Sequence, residues 1–80
     1  MERLIKQEII NLLKKTINYP IYVLDSQNKK RKISNVSVHN GSISIVIDGY
    51  KAFLVYYSYI FQYNLYKELK NNINNKIWTD

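Results

Sequence analysis

The sequence contains no cysteine, so neither a disulfide nor a thiolate metal site can stabilise the fold. This absence is typical of proteins from a reducing compartment. With 80 residues, the chain has room for one hydrophobic core, near the size at which apolar burial only just outweighs chain entropy. Stability must therefore come from packing, and a deep, dry active-site cavity is difficult to accommodate.

Long hydrophobic runs are also missing. The longest apolar run, 52–61, is interrupted by Ser58 and is about half as long as the roughly 20 residues that a membrane-spanning helix needs. The N-terminal segment MERLIKQEII mixes charged with apolar residues and lacks the continuous apolar region of a secretory signal. We therefore predict a soluble, cytoplasmic protein that does not enter a membrane.

Residues that could carry catalysis or hold a metal are few and scattered. His39 is the only histidine, and no carboxylate can be placed beside it from the sequence to orient it as a catalytic base. The acidic residues do not cluster as metal ligands do; they are Glu2, Glu8, Asp25, Asp48, Glu68 and Asp80. We predict a non-enzymatic protein with no cofactor and no metal, with a small toxin-type ribonuclease as an alternative.

Acidic residues are outnumbered by basic ones, 6 against 12, which gives a formal net charge of +6. A basic balance favours anionic partners such as nucleic acid, acidic protein surfaces or anionic lipid. Isoleucine, asparagine, lysine and tyrosine make up 40 of the 80 residues, and alanine occurs once, as Ala52. That bias is typical of an AT-rich genome, and small proteins without enzymatic motifs are common in phages and mobile elements.

The N-terminal part of the chain predicts a helix followed by three short strands. Apolar residues recur at helical spacing over 2–17, and this helix should end before Pro20, which excludes its predecessor from the helical region. The strand-like runs are YPIYVLD, KISNVSVH and SISIVID. The last two flank Asn40-Gly41, the pair of residues that best tolerates the positive φ angles of a type I′ hairpin turn.

This turn fixes the pairing of the two strands. A two-residue loop opposes His39 to Ser42, and each further step along the strands adds one pair. The pairs that follow are Val38 with Ile43, Ser37 with Ser44, Val36 with Ile45, and Asn35 with Val46. Because side chains alternate between faces, one face of this hairpin is apolar and the other mostly polar, so helices should cover the sheet on one face only.

A second helix is predicted from about residue 51 to 73, with Leu54, Phe61, Leu65 and Leu69 on one stripe. Its first turn is ambiguous, because AFLVY is rich in β-formers and could be a fourth strand. The predicted fold is α+β, a two-layer α-β-β-β-α arrangement with a small antiparallel sheet covered on one face by two helices. We place one domain at 1–73 and an asparagine-rich tail at 74–80.

The order α-β-β-β-α is also that of double-stranded-RNA-binding domains, which it resembles in topology only. That family carries a lysine-rich motif at the start of its second helix, where this sequence offers Lys51 alone. The resemblance therefore assigns no family.

Tyrosines crowd into the last helix, where five of the eight lie within residues 56–67. Tyr56, Tyr59, Tyr63 and Tyr66 are spaced to line one side of the helix, with Tyr59 and Tyr66 furthest from the aliphatic stripe; Tyr57 falls nearer the polar side. Such a stripe either completes the core, with the hydroxyls reaching water, or forms a contact surface for bases or a protein.

Four adjacent cations, Lys29, Lys30, Arg31 and Lys32, are predicted in the loop between the first two strands. Adjacent cations repel one another and should add nothing to folding. They are either a solvated hairpin tip that discourages edge aggregation or a phosphate-binding run. For nucleic-acid binding, Lys51, Lys67 and Lys70 are the further candidates.

The tail contains the only tryptophan, Trp78, which either folds back onto the domain or contacts a partner. The first functional hypothesis is a nucleic-acid-binding module directed at the backbone, encoded by a phage or mobile element. The alternative is an inhibitor of a host protein or nucleoprotein complex, for example an anti-CRISPR, that uses the tyrosines and Trp78 as contact residues. A homodimer through the tyrosine stripe or a sheet edge is a further possibility.

Overall fold

The computed structural model describes the backbone of residues 2–78 and the side chains of residues 5–73. Its elements in chain order are α1 (Glu2–Leu12), β1 (Ile21–Leu24), β2 (Lys30–His39), β3 (Ser42–Ile47), β4 (Tyr50–Phe53), a short 3-10 helix (Leu54–Tyr56) and α2 (Tyr59–Trp78). The four strands form one antiparallel sheet in the order β1-β2-β3-β4. The predicted α+β class is confirmed, and the two helices pack on one face of the sheet.

The core lies between the sheet and the helices. From α2 it takes Phe61, Leu65 and Leu69, whose predicted stripe is confirmed because all three are almost completely buried. The remaining buried apolar residues come from α1, the strands and the 3-10 helix: Ile9, Ile21, Val23, Ile33, Val36, Ile43, Ile45, Ile47 and Leu54. Every strand except β4 contributes buried residues, which alternate with residues on the opposite face of the sheet. That opposite face carries no helix in the described structure.

The register derived from the Asn40-Gly41 turn is confirmed at all five pairs, from His39–Ser42 to Asn35–Val46. Both turn residues have positive φ, 53° and 79°, as a type I′ turn requires. Beyond Asn35 the pairing shifts, because Ile33 opposes Ile47 and Ser34 is left as the extra residue of a β-bulge.

The prediction that α2 begins near Lys51 is wrong, and the alternative of a fourth strand is correct in kind. Asp48 and Gly49 also have positive φ, 50° and 87°, and form a second two-residue turn of the same type. This turn folds residues 50–53 back onto β3, so that Tyr50 pairs with Ile47 and Phe53 with Ser44.

α2 begins at Tyr59 because Ser58 caps its N-terminus. The Ser58 hydroxyl accepts a hydrogen bond from the N–H of Phe61 at 3.2 Å, three residues into the helix, as an N-cap side chain does. The Ser58 carbonyl accepts the first helical bond from the N–H of Gln62 at 3.0 Å. Leu54 is buried as expected, but it belongs to the 3-10 helix and not to α2.

The predicted helix over 2–17 is too long, since α1 ends at Leu12. The N–H groups of Lys14 and Lys15 bond to carbonyls three residues back, those of Asn11 and Leu12, so the last turn tightens and the helix stops well before Pro20. Leu13 and Ile17 still pack against the core from the connection to β1.

The predicted end of the last helix at residue 73 is too early, because the backbone of α2 continues to Trp78. The first residues of the predicted tail, 74–78, are therefore helical. Residues 79–80 lie outside the described part of the chain, and the division into a domain and a tail stays a prediction.

Candidate nucleic-acid interface

The basic run lies mostly in a strand, which corrects the prediction that all four cations sit in a loop. A tight turn joins β1 to β2: the Asp25 N–H bonds to the Lys29 carbonyl at 2.9 Å and the Asn28 N–H to the Asp25 carbonyl at 3.0 Å. Asn28 takes the positive φ of 61° that this turn needs. Only Lys29 belongs to the turn, since β2 begins at Lys30.

Strand alternation then separates the cations. Arg31 pairs with Val23, which is buried beneath the helices, so Arg31 lies on the helix side of the sheet. Lys30 pairs with Leu24 and Lys32 with Tyr22, on the opposite side. A run that looks uniform in the sequence is therefore divided between two faces.

Arg31 is held by two carboxylates. Its guanidinium donates to Asp48 from Nε, and to Asp25 from a terminal nitrogen at 3.3 Å. Each carboxylate is fixed in turn: Asp48 accepts from the N–H of Lys32 at 3.1 Å, and Asp25 from those of Gln27 and Lys29 at 2.8 and 2.9 Å. Arg31 therefore links the β1–β2 turn to the β3–β4 turn, so one cation of the run makes contacts within the fold.

The same contacts perturb the titration of the three groups. The hydrogen bond from Arg31, followed by the one from the Lys32 amide, holds the pKa of Asp48 below its usual value. The Lys29 amide is the main cause of a lowered pKa at Asp25. The hydrogen bond to Asp48, with that to Asp25, raises the pKa of Arg31. All three groups are therefore stabilised in their charged forms.

The face of the sheet without helices is called here the open sheet face. Its exposed rings are Tyr22 at one border and Phe53 at the other, each nearly half exposed. Strand pairing and alternation also place Leu24, Lys30, Lys32, Asn35, Ser37, His39, Ser42, Ser44, Val46 and Lys51 on it. None of these residues is acidic, and Ser44 is the one polar member that is buried. The open sheet face is therefore cationic, with an aromatic side chain at each border.

At the β1 border, the open sheet face continues into a groove of about 540 Å³ between β1 and α2. Lys30 lines this groove from β2 with its ammonium 5.9 Å from the centre of the Tyr22 ring, and Lys67 lines it from α2. Glu68 contributes the one acidic side chain among the lining residues. The fold thus brings Lys30 and Lys67 to one groove, although they are distant in the sequence.

The exposed side of α2 carries a tyrosine ridge, defined as Tyr59, Tyr63 and Tyr66 with Lys67 and Lys70. The ring centres of neighbouring tyrosines are 6.4 and 6.1 Å apart, and the first two rings are nearly parallel. Lys67 lies over the Tyr63 ring at 4.9 Å and Lys70 over the Tyr66 ring at 5.2 Å. These distances are within the range of cation–π attraction.

Three predictions for the tyrosines need correction. Tyr56 is highly exposed but belongs to the 3-10 helix, where its ring lies 6.3 Å from that of Phe53. Tyr57 packs against the core with its ring 5.0 Å from that of Phe61, because the chain turns at Ser58 before α2 begins. Tyr66 is partly buried against the core, so the open positions are Tyr59 and Tyr63. The side chain of Trp78 lies outside the described residues.

Two aromatic residues of the open sheet face, Tyr22 and Phe53, were missed from the sequence. Tyr22 follows from alternation in IYVL, since Ile21 and Val23 are the apolar pair that must face the helices. Phe53 follows only once Asp48-Gly49 is read as a hairpin turn that creates β4. The predicted candidates Lys51 and Lys70 do not meet, because one lies on β4 and the other on α2.

His39 lies on the open sheet face with its Nε2 3.4 Å from the Ser37 hydroxyl, and no carboxylate bonds to it within the described residues. Over the same part of the chain, no group of three or more histidine or acidic side chains is arranged to hold a metal ion. No helix described by the structure combines the length and apolar character needed to cross a membrane.

Comparison with known proteins gave no match: neither a protein-family model, nor a curated protein, nor a solved structure is significantly similar to this chain.

Proposed function

We propose that the protein binds nucleic acid through the open sheet face, mainly by contacts between its lysines and the phosphate backbone. The observation that carries this proposal is the charge of that face, where Lys30, Lys32 and Lys51 occur without any acidic residue. Lysine neutralises phosphate as a point charge and reads no sequence, so binding is backbone-directed and weakly specific. Arg31 is excluded from the site because Asp25 and Asp48 neutralise it.

The exposed rings favour a single strand over a duplex. Tyr22 and Phe53 stand at the two borders of the open sheet face, where unpaired bases could stack on them; within a duplex the base faces are covered by their neighbours. Stacking contributes about 1–3 kcal/mol per base and tolerates any sequence. The proposed ligand is then a single-stranded RNA or DNA, and the proposed location of the protein is the cytoplasm.

The proposal is tested by fluorescence anisotropy with a labelled single strand and its duplex, titrated over a range of salt concentrations. The variant Lys30→Ser/Lys32→Ser/Lys51→Ser removes the cations of the open sheet face. It should weaken binding, and the slope of log affinity against log salt should fall by about 0.7 for each lost single-strand contact. All three lysines are exposed, so the melting temperature should hardly change.

A matched control removes the same charge elsewhere. Lys14 and Lys15 are exposed on the segment after α1 and Lys70 is exposed on α2, away from the open sheet face, and Lys14→Ser/Lys15→Ser/Lys70→Ser lowers the net charge equally. The proposal requires this control to keep most of the wild-type affinity and slope. Equal losses in the two variants would mean that net charge alone attracts nucleic acid, and unchanged binding in both would remove the proposal.

A second candidate function is inhibition of a host protein by direct binding, as in an anti-defence protein of a phage or mobile element such as an anti-CRISPR. The exposure of Tyr59 and Tyr63 on the tyrosine ridge favours it, because tyrosine supplies many of the residues that dominate protein interfaces. A pull-down from host lysate separates the two functions. A partner retained after nuclease treatment and lost with Tyr59→Ser/Tyr63→Ser would support the protein target.

A further inference from the structure

The two edges of the sheet differ in their hydrogen bonding. At the β1 edge, the carbonyl of Leu24 accepts a hydrogen bond at 2.8 Å from the side-chain amide of Asn64 on α2. The helix therefore covers this edge and occupies one of its outward backbone groups. At the opposite edge, β4 pairs only with β3, and none of the described residues bonds to its outward backbone groups.

The turn at Asp48-Gly49 determines which backbone groups of β4 are free. In a two-residue hairpin the residues next to the turn, Ile47 and Tyr50, exchange both of their backbone bonds, and the next bonded pair is Ile45 with Ala52. Lys51 lies between the two bonded residues of β4, and Phe53 follows the second. Because alternate residues of a strand bond to opposite sides, the N–H groups of Lys51 and Phe53 point away from β3. An edge with such free donors is a template for another strand.

Large apolar side chains surround this edge. The three most exposed ones in the described structure are Tyr50, Val55 and Tyr56, at 78, 76 and 79 %. Tyr50 belongs to β4, and the other two to the 3-10 helix that follows it directly. Exposed apolar side chains therefore flank the uncovered edge at both ends of β4, which favours this edge as an interaction surface.

We propose that a second copy of this chain pairs with β4 in antiparallel orientation, about a two-fold axis at Ala52. In this register Lys51 of each copy lies opposite Phe53 of the other, so all the free N–H groups find carbonyls and a cation meets a ring. A register centred on Lys51 would oppose two lysines, which is unfavourable. The residue on the axis is the only alanine in the chain, and its small side chain allows the close approach of a non-hydrogen-bonded pair.

The covered β1 edge explains why the partner is a second copy in a closed pair. A head-to-tail assembly would join β4 of one copy to β1 of the next, where Asn64 and α2 stand in the way. Pairing of β4 with itself uses the same surface on both copies and leaves two covered edges outward, so assembly stops at the dimer. The inference does not depend on the proposed function, although the dimer would join two open sheet faces into one.

The test compares two substitutions at one position by analytical ultracentrifugation of nucleic-acid-free protein. Lys51→Pro removes an N–H that points outward, so it takes no hydrogen bond from the β3–β4 ladder, and proline is tolerated at a strand edge of this kind. Lys51→Gln keeps the N–H and removes the same charge. Wild type and Lys51→Gln should sediment as dimers, and Lys51→Pro as a monomer with an unchanged circular dichroism spectrum.

Amide hydrogen exchange gives an independent readout that needs no variant. The Lys51 and Phe53 amides should exchange slowly at concentrations where the wild type is dimeric and rapidly after dilution, whereas the Ala52 amide is protected in both states by Ile45. A monomeric wild type at millimolar concentration, or fast exchange at Lys51 in a dimer, would overturn the proposal. So would a folded, dimeric Lys51→Pro variant, which would assign dimerisation to another surface such as the tyrosine ridge.

Discussion

Arg31 differs from the lysines beside it because its position in β2 faces two carboxylates across the end of the sheet. Asp25 and Asp48 stand in turns that are far apart in the sequence, and each carboxylate also accepts a hydrogen bond from a backbone N–H group. Carboxylates fixed in this way bind a planar guanidinium well, and a lysine could not donate to both in the same geometry. The site could not be found from the sequence, since it depends on a register that the basic run itself does not reveal.

This cluster makes stability depend on pH. The folded-state pKa values of Asp25 and Asp48 are lowered. The two charged carboxylates therefore stabilise the folded state above the unfolded-state pKa of about 3.9, and this stabilisation is lost as the pH falls through the folded-state pKa values. We expect the melting temperature to decrease when the pH is lowered below about 4. Arg31→Met should lower the melting temperature at pH 7. It should also reduce the further decrease in melting temperature on acidification, because the main cause of the lowered Asp48 pKa is removed.

Thermal unfolding followed by circular dichroism from pH 2 to 7 measures this effect. Lys32→Met is the matched control, since it removes one positive charge from the neighbouring position without touching either ion pair. Its pH profile should follow that of the wild type. Parallel profiles for Arg31→Met and the wild type would show that the ion pairs contribute nothing to stability.

Among the elements, β4 and α2 show how local signals compete. Residues 51–57 fit a helical stripe by spacing, and the stripe through Phe61, Leu65 and Leu69 is real. Two short signals nevertheless keep residues 51–57 out of α2: a second Gly-containing turn at Asp48-Gly49, and a serine three residues before a buried phenylalanine. Both are recognisable from the sequence. Periodicity located the buried face of α2, and turn and cap chemistry decide where the helix starts.

The N-cap provides a direct prediction for α2. Ser58→Ala removes the acceptor of the Phe61 N–H and should destabilise the protein by about 1 kcal/mol. Ser26→Ala is the control, because Ser26 is exposed and donates or accepts no side-chain hydrogen bond within the described residues. Urea midpoints compare the two variants; a midpoint for Ser58→Ala equal to that of Ser26→Ala would mean that the cap does not hold the start of the helix.

Considered as a whole, the molecule has one core and two different outer surfaces. The open sheet face and the tyrosine ridge meet only at the groove where Lys30 and Lys67 lie. The sequence was sufficient to predict the fold class, the covering of the sheet on one face and the β2–β3 register. These predictions depended on the alternation of apolar and polar residues and on the Asn40-Gly41 turn. The groove could not be predicted in this way, because it requires β1 and α2 to be neighbours, and their packing is set by the core and not by any motif.

The tyrosine ridge and the core should respond differently to truncation of their side chains. Leu65 is completely buried, so Leu65→Ala should cost about 2–5 kcal/mol. Tyr59 and Tyr63 are exposed, so changing both to serine should cost no more than about 1 kcal/mol in total. Denaturant midpoints for the two variants compare their losses of stability. A double variant as unstable as Leu65→Ala would assign the tyrosine ridge to the fold and remove it as a protein-binding surface.

The order β1-β2-β3-β4 also has a kinetic consequence. Each strand pairs only with its neighbour in the chain, across connections of two or five residues, so the sheet forms without closing any long loop. Contacts that do span the chain join α2 to α1, to the segment after α1 and to β1, such as the paired hydrogen bonds between Asn18 and Asn72. Pairings between consecutive strands are local contacts, and a large share of local contacts is associated with rapid folding. The hairpins are therefore expected to form first, and the docking of α1 against α2 completes the folding reaction.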